Sequence, residues 1–218
     1  MKNLCVLFDM DGTLLDSGEG ITNAVEYAVS KFGKPALDME TKNRFVGPPL
    51  RESFAKYCGV SADEAEVMVS LYREYYSAGG LFECKPYEGI ENLLSFLNKS
   101  GCDLYVATAK PQEYADKMLK KWDLFKYFKE VVGATFDKSR DDKKVIIGEI
   151  IAKEKEKTAV MVGDTKFDVE AAHKNKIDAV FVTYGYGTDE DVKLSNPEYI
   201  AENTEQIKEI LQKIMAGK

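Results

Sequence analysis

The chain carries one histidine in 218 residues, His173. That scarcity leaves no histidine and cysteine cluster for zinc, and it disfavours serine–histidine or cysteine–histidine nucleophile pairs. The pattern around His173 places it in a surface helix. Cys5, Cys58, Cys84 and Cys102 are widely spaced, with no CxxC pair, so reduced thiols of a cytosolic protein are expected rather than a disulfide framework. Positive charge is in deficit: 30 Lys and Arg stand against 37 Asp and Glu, a net of −7. A chain so charged has no general attraction for nucleic acid or an anionic membrane surface, although a local basic pocket can still form. No apolar run is long enough to span a bilayer, and no signal-like segment precedes the first apolar run. The expectation is a cytoplasmic protein with no nucleic acid, membrane or obligate protein partner.

The residues that are present alternate between strand and helix patterns. After an apolar run ending at Phe8, β-rich segments recur at Leu104–Thr108, Val131–Gly133, Ala159–Val162 and Ala179–Thr183, with a short edge strand at 199–200. Helical periodicity covers Gly89–Lys99, Pro111–Trp122, Asp142–Lys153 and Lys166–Lys176. Asn203, with Gln206 three residues on, resembles a cap for a helix over Thr204–Met215. Strands alternating with helices imply an α/β fold, a parallel sheet covered on both faces.

One segment breaks the alternation. From Asp16 to about Glu83 the pattern is helical, with Ile21, Ala24, Val25, Ala28, Val29 and Phe32 at helical spacing. Ala65, Val67, Met68, Leu71, Tyr72 and Tyr75 repeat it after an expected N-cap at Ser61, and Gly47-Pro48-Pro49 marks a turn between helices. Such a block reads as a small all-helical domain, residues 16–82, inserted after the first strand of a core formed by residues 1–15 and 83–218. Hinges belong near Leu14 and near Cys84-Lys85-Pro86.

In an open parallel sheet, ligands bind beyond the carboxyl ends of the strands. Asp9 and Asp11 follow the first strand and share a face if strand geometry persists through them. Thr108 ends the second core strand. Gly163-Asp164-Thr165-Lys166-Phe167-Asp168 places two acids four residues apart at a strand-to-helix junction; a plain N-cap with a dipole-complementing acid is the simpler explanation of that pair alone. Acids converging from separate strand ends repel one another and suit a hard, oxygen-loving cation such as Mg²⁺. An anionic substrate needs donors as well. Thr108 can supply a hydroxyl, and Lys143 or Lys144 opens a helix after Ser139-Arg140-Asp141-Asp142, an unfavourable place for lysine on dipole grounds alone. Lys110 is either a substrate contact or exposed. Gly185-Tyr186-Gly187, after the last core strand, reads as an ordinary loop or the border of a cleft.

The run Asp9-Met10-Asp11-Gly12-Thr13-Leu14, then Thr108, then a downstream lysine, then Gly163-Asp164 with Asp168, resembles the haloacid dehalogenase (HAD) superfamily in content and order. The likeness covers nearly the whole chain and is greatest to phosphoglycolate-phosphatase-like members with a C1-type cap. It implies a Rossmann-like doubly wound core and a phosphoric monoester hydrolase. By the resemblance, Asp9 is the nucleophile that forms an aspartyl-phosphate, and Asp11 is the acid and base. Mg²⁺ is held by the Asp9 carboxylate, the Asp11 carbonyl and Asp164, with Asp168 as a further or outer ligand. Thr108 and Lys143 hold the phosphoryl group, Lys143 being chosen because some relatives place the lysine a few residues after an arginine. Gly12, Thr108, Ala109, Lys110 and, from the cap, Arg51 are the substrate-side residues that the resemblance implies. Arg44 is a second cap cation.

Two positions depart from the family pattern. Many relatives have Lys-Pro where this chain has Lys143-Lys144, and close relatives often have Asn where Ala109 stands, which loses a side-chain contact. The implied substrate is a small phosphorylated metabolite, with phosphoglycolate first and a nucleoside monophosphate or pyrophosphate next. A phosphoglucomutase-like phosphotransferase and a non-catalytic phosphometabolite-binding regulator are the alternatives.

Overall fold

The structure, a computed structural model, describes residues 3–135, 140 and 142–217. Ser139 and Asp141, which the sequence reading set before the lysine helix, lie outside the described residues. The chain forms two compact units, Met1–Leu15 with Pro86–Lys218, and Asp16–Lys85. In chain order the strands are β1 (Leu4–Phe8), β2 (Leu15–Asp16), β3 (Lys85–Pro86), β4 (Asp103–Pro111), β5 (Glu130–Ala134), β6 (Thr158–Gly163), β7 (Asp178–Val182) and β8 (Tyr199–Ala201). The helices are α1 (Gly18–Phe32), α2 (Met39–Asn43), α3 (Leu50–Cys58), α4 (Ala62–Ala78), α5 (Ile90–Lys99), α6 (Gln112–Lys121), α7 (Lys143–Lys153), α8 (Lys166–Lys174), α9 (Asp189–Ser195) and α10 (Thr204–Met215).

The first unit is an α/β layer structure around a six-stranded sheet of order β5-β4-β1-β6-β7-β8, paired in parallel throughout. Every residue of β1 is buried, the mark of a central strand covered on both faces, and this explains its uninterrupted apolar run. On one face Cys5, Leu7, Tyr105, Ala107, Met161, Ala179 and Phe181 alternate along their strands and meet Ile146, Ile147 and Ile150 of α7 and Val169, Ala171 and Ala172 of α8. The chain runs outward from β1 in both directions, so strand order reverses there. The crevice at such a switch point, outside the carboxyl end of β1, is where a ligand is received.

The far end of α7 is tied to the amino-terminal ends of the strands. Glu154, its C-cap, accepts from Lys129 (2.5 Å), Lys157 (2.8 Å) and the Tyr105 hydroxyl. These donors hold the Glu154 carboxyl down to about 2. Fixing α7 at this end also fixes the placement of its first residue, Lys143.

At the amino end of α10, the Asn203 side chain accepts from the Gln206 N–H (3.0 Å). The reciprocal bond goes elsewhere, because Gln206 Oε1 accepts from the Glu202 N–H (2.7 Å). Strand β4 is longer than its sequence signal. It runs to Pro111 with a shift in register against β5 between Ala107 and Pro111. Thr108 therefore lies inside the strand, at an irregularity, rather than at its end. Gln112 braces that irregularity by accepting from the Gly133 N–H (2.7 Å) and donating to the Val131 carbonyl (2.9 Å).

The second unit is built on α1 to α4. Ile21, Ala24, Val25, Ala28 and Val29 form the buried face of α1. Ser61 and Glu64 form a reciprocal capping box at the start of α4, and Gly47-Pro48-Pro49 separates α2 from α3. The buried face of α4 is Ala65, Met68, Val69, Tyr72 and Tyr76; Val67, placed on it from the sequence, is 51% exposed. A run of adjacent apolar residues leaves the helical phase open by one position, and packing decides it.

Glu83, Cys84 and Lys85 group with this unit rather than with the α/β unit assigned to them from sequence. Glu83 holds them there: its carbonyl accepts from the Gly20 N–H (3.1 Å), and its carboxylate accepts from Asn23 and Tyr75 (both 2.8 Å). The short strands β2 and β3 pair where the chain passes between the units. Their length, two residues each, gave no periodic signal. No helix among the described residues is long and apolar enough to cross a membrane.

Candidate active site

Strand geometry ends at Phe8, so the alternation expected to bring Asp9 and Asp11 together does not persist. The Asp9 N–H extends the ladder by one bond to the Val162 carbonyl (2.9 Å). The chain then turns tightly, with the Met10 carbonyl accepting from Leu14 (3.0 Å) and Leu15 (2.9 Å). Gly12 permits the turn. Its φ is +81°, and a Cβ there would lie 2.1 Å from Asp164 Oδ2. It is this turn, not the strand pleat, that carries Asp11 to its place. Asp11 Oδ2 faces the buried Lys110 ammonium at 2.9 Å, so Lys110 is neither exposed nor remote.

Asp9 is buried, with Oδ2 held 3.0 Å from Lys143 Nζ. Its Oδ1 is buried without a hydrogen-bond partner among the described residues. Lys143 lies between Asp9 and Asp168, with Asp168 Oδ1 at 2.5 Å. Lys144 is exposed, and its backbone N–H is capped by Asp142 at 2.8 Å. Of the two candidate lysines, Lys143 is the one brought to the acids.

Asp168 divides its two oxygens between a helix cap and a lysine. Its Oδ2 accepts from the Thr165 N–H (3.0 Å) and hydroxyl (2.7 Å), capping α8, while its Oδ1 serves Lys143. Asp164 is fully buried; Oδ1 accepts from the Thr13 hydroxyl (3.1 Å) and Oδ2 from the Tyr186 N–H (2.8 Å).

Carboxylate oxygens of Asp9, Asp164 and Asp168 lie within 4.8 Å of one another. Burial pushes the Asp9 carboxyl up to about 6, against the pull of Lys143 and with the fields of Asp168 and Asp11 adding to it. Burial, then Asp168 and Asp9, raise Asp164 well above its ordinary value. Burial draws the Lys143 ammonium down, but Asp168 and Asp9 outweigh it and hold it above its ordinary value. Three acids against one directly bonded ammonium leave surplus negative charge, and the orphaned Asp9 Oδ1 leaves an oxygen to give. This oxygen-only set fits Mg²⁺.

Residues 6–182 match the family model for haloacid dehalogenase-like hydrolases. The chain belongs to the haloacid dehalogenase-like hydrolases. It is 31% identical to a 5'-nucleotidase of Pseudomonas aeruginosa over 95% of each chain. It is 37% identical to tyrosine-protein kinase PtkA of Mycobacterium tuberculosis over 84% of this chain but only 62% of that one, so the kinase name carries nothing over. The crystal structure of a predicted phosphatase from Clostridium acetobutylicum superposes with a TM-score of 0.91 at 39% identity, over 98% of this chain and 99% of that one. This HAD hydrolase is an enzyme of the phosphatase kind.

The remaining residues singled out from the sequence fall into place differently. Thr108 is buried, and its Oγ1 accepts from the Lys110 N–H (3.2 Å). Ala109, on the same strand, is exposed. Arg51 and Arg44 belong to the helical unit of this HAD protein, where they pair with Glu66 (3.2 Å) and Glu40 (2.8 Å). His173 lies on α8 with Glu198 at 3.0 Å.

Sequence reasoning underrated Gly185-Tyr186-Gly187, gave Thr13 and Thr165 no contact beyond their motifs, and passed over Tyr184. The glycines were the available signal. A Cβ on Gly185 would lie 2.4 Å from Asp164 Oδ2 and from the Gly12 carbonyl, and one on Gly187 would lie 1.8 Å from the Asp164 carbonyl. Gly185→Ala is therefore expected to displace Asp164. The expected cost is on the order of 100-fold in kcat, the scale of an ångström of misplacement at a reacting centre. Steady-state rates across a Mg²⁺ titration check this, and wild-type values would show that Asp164 tolerates the intrusion.

Proposed function

We propose that this HAD phosphatase hydrolyses a small phosphomonoester in a Mg²⁺-dependent reaction through an aspartyl-phosphate on Asp9. The observation that carries the reading is Asp9 itself, a buried carboxylate with one oxygen held by Lys143 and the other without a partner among the described residues. Two oxygens suit two tasks, attack on phosphorus and ligation of the cation.

Asp9, Asp164 and Asp168 would hold Mg²⁺, with the Asp11 carbonyl as the further ligand implied by the family pattern. The bound ion would neutralise the surplus charge of the acids and withdraw charge from the phosphoryl oxygens. Asp9 attacks phosphorus, the bond to the leaving oxygen breaks, and that oxygen takes its proton from Asp11. In the second half, Asp11 takes a proton from water as the water attacks phosphorus, releasing phosphate and restoring Asp9. Lys110 Nζ faces Asp11 Oδ2 at 2.9 Å, beside this proton traffic. Lys143 and the Thr108 hydroxyl stabilise the phosphoryl oxygens as charge moves. Gly12, Ala109 and Arg51 are kept as proposed substrate-side residues on the family pattern.

Phosphoglycolate is the substrate suggested by the sequence resemblance, and the relative named 5'-nucleotidase supports a nucleoside monophosphate beside it. Phosphate release from a panel of phosphorylated metabolites and pyrophosphate, with Mg²⁺ and with chelator, tests the reading. A member of the panel is expected to reach kcat/KM of at least about 10⁴ M⁻¹s⁻¹ with Mg²⁺ and to fall to background with chelator. Sugar-phosphate isomerisation without phosphate release would replace hydrolysis by a mutase reaction. Ester binding without any product would leave a regulatory binder.

A further inference from the structure

Asp164 Oδ1 is held by a path that traces back to the Tyr184 side chain, and Oδ2 by the backbone two residues beyond it. The Tyr184 hydroxyl donates to the Thr13 carbonyl (2.9 Å), and the Thr13 hydroxyl in turn donates to Asp164 Oδ1 (3.1 Å). Two residues beyond Tyr184, the Tyr186 N–H donates to Asp164 Oδ2 (2.8 Å). Between them, the bare backbone of Gly185 lies against the Asp164 side chain. The Tyr184 ring is itself clamped by that of Tyr87, with centroids 4.7 Å apart. The Tyr87 N–H donates to the Leu14 carbonyl (3.2 Å), next to Thr13. Tyr184 thus ties the turn after β1 to the loop after β7, and the carboxylate of Asp164 is held between the two.

We propose that Tyr184 is a positioning residue for Asp164, acting through Thr13, and that it thereby sets the affinity of the site for Mg²⁺. This rests on the magnesium reading above. A ligating carboxylate whose oxygens are fixed in advance does not have to be ordered when the ion arrives, and loss of such outer hydrogen bonds typically costs about 10- to 100-fold in metal affinity. The site is far more sensitive to Tyr184 than the fold is, because Tyr184→Phe removes one hydroxyl and keeps the ring against Tyr87.

The test is calorimetric titration of Mg²⁺ into the full chain as wild type, Tyr184→Phe, Thr13→Val and the double variant, with Asp164→Asn as reference. Tyr184→Phe is expected to raise the Kd for Mg²⁺ about tenfold, with a metal-free Tm close to wild type. The double variant is expected to be no weaker than Thr13→Val alone, because the two changes interrupt one path. At saturating Mg²⁺ the kcat of Tyr184→Phe is expected to recover, which a merely structural defect would not do. An unchanged Kd in Tyr184→Phe, or full additivity in the double variant, overturns the proposal while leaving the magnesium reading intact. Absence of Mg²⁺ binding by wild type, or equal binding by Asp164→Asn, overturns both.

Discussion

Asp9→Asn is expected to lower phosphate release by at least about 10⁴-fold, the scale of losing a catalytic nucleophile, and at the same time to make the metal-free protein more stable at pH 8. The second effect follows from the burial of Asp9. Burial raises the Asp9 carboxyl from 3.8 to about 6, so between those values the folded protein keeps a proton that the unfolded chain gives up. The contribution of this group is full below the unfolded pKa and is lost as pH rises through the folded one. A shift of this size corresponds to a deficit on the order of 3 kcal/mol above pH 6. Asn has the shape of the protonated acid and carries no such deficit. Urea unfolding in chelator, at about pH 4 and pH 8, separates the cases: the variant and wild type should converge at the lower pH and diverge at the higher one. An equal stability difference at both values would mean that Asp9 is not held as a strained anion. Saturating Mg²⁺ is expected to reverse the order, because wild type alone keeps its full set of ligands.

Lys143→Met should fail in the opposite direction, losing both turnover and stability. Methionine keeps much of the side-chain volume and removes the ammonium that lies 3.0 Å from Asp9 and 2.5 Å from Asp168. The buried acids then lack their direct countercharge, a change that costs about 3–5 kcal/mol when one partner of a buried pair is removed. Protonation of the acids relieves part of that cost, so the loss should be greater at pH 8 than at pH 5. Turnover should fall about 10²- to 10³-fold, the effect of deleting one preorganised charge stabiliser. Lys144→Met is the matched comparison. Its side chain is exposed, so stability should change by less than about 0.5 kcal/mol and the rate should hold. Reversal of that pattern between the two lysines would assign the role to Lys144.

The parts of the fold legible in the sequence are those decided locally. The apolar, β-rich runs of the sheet, the N-cap at Ser61 and the Asn203 cap are short-range patterns, and each of these elements appears within a few residues of its expected bounds. Phase and ends were harder. Val67 left the core face because adjacent apolar residues do not distinguish helical phase, and β4 continued past Thr108 because Gln112 holds it to β5. The two-residue strands β2 and β3 exist only because they pair with each other.

The same division holds in the candidate site. Asp9, Asp11, Asp164 and Asp168 could be named from their positions after strands, but what each touches is set by residues far away in the chain. Lys143 reaches Asp168 across 25 positions, and Tyr184 reaches Thr13 across 171. No local pattern encodes those distances. Gly185 and Gly187 were the nearest thing to a local sign, since a glycine pair after a strand marks a place where another group comes close.

Covalent trapping tests the proposed role of Asp9 most directly. The enzyme is mixed with its fastest ³²P-labelled ester and Mg²⁺, quenched in acid within a turnover, reduced with borohydride and digested. An acyl phosphate on Asp9 would be reduced to homoserine at position 9, in amounts that follow the phosphoenzyme, with none in Asp9→Asn. Phosphate release at full rate with no covalent label, or label on any other residue, would contradict a nucleophilic Asp9.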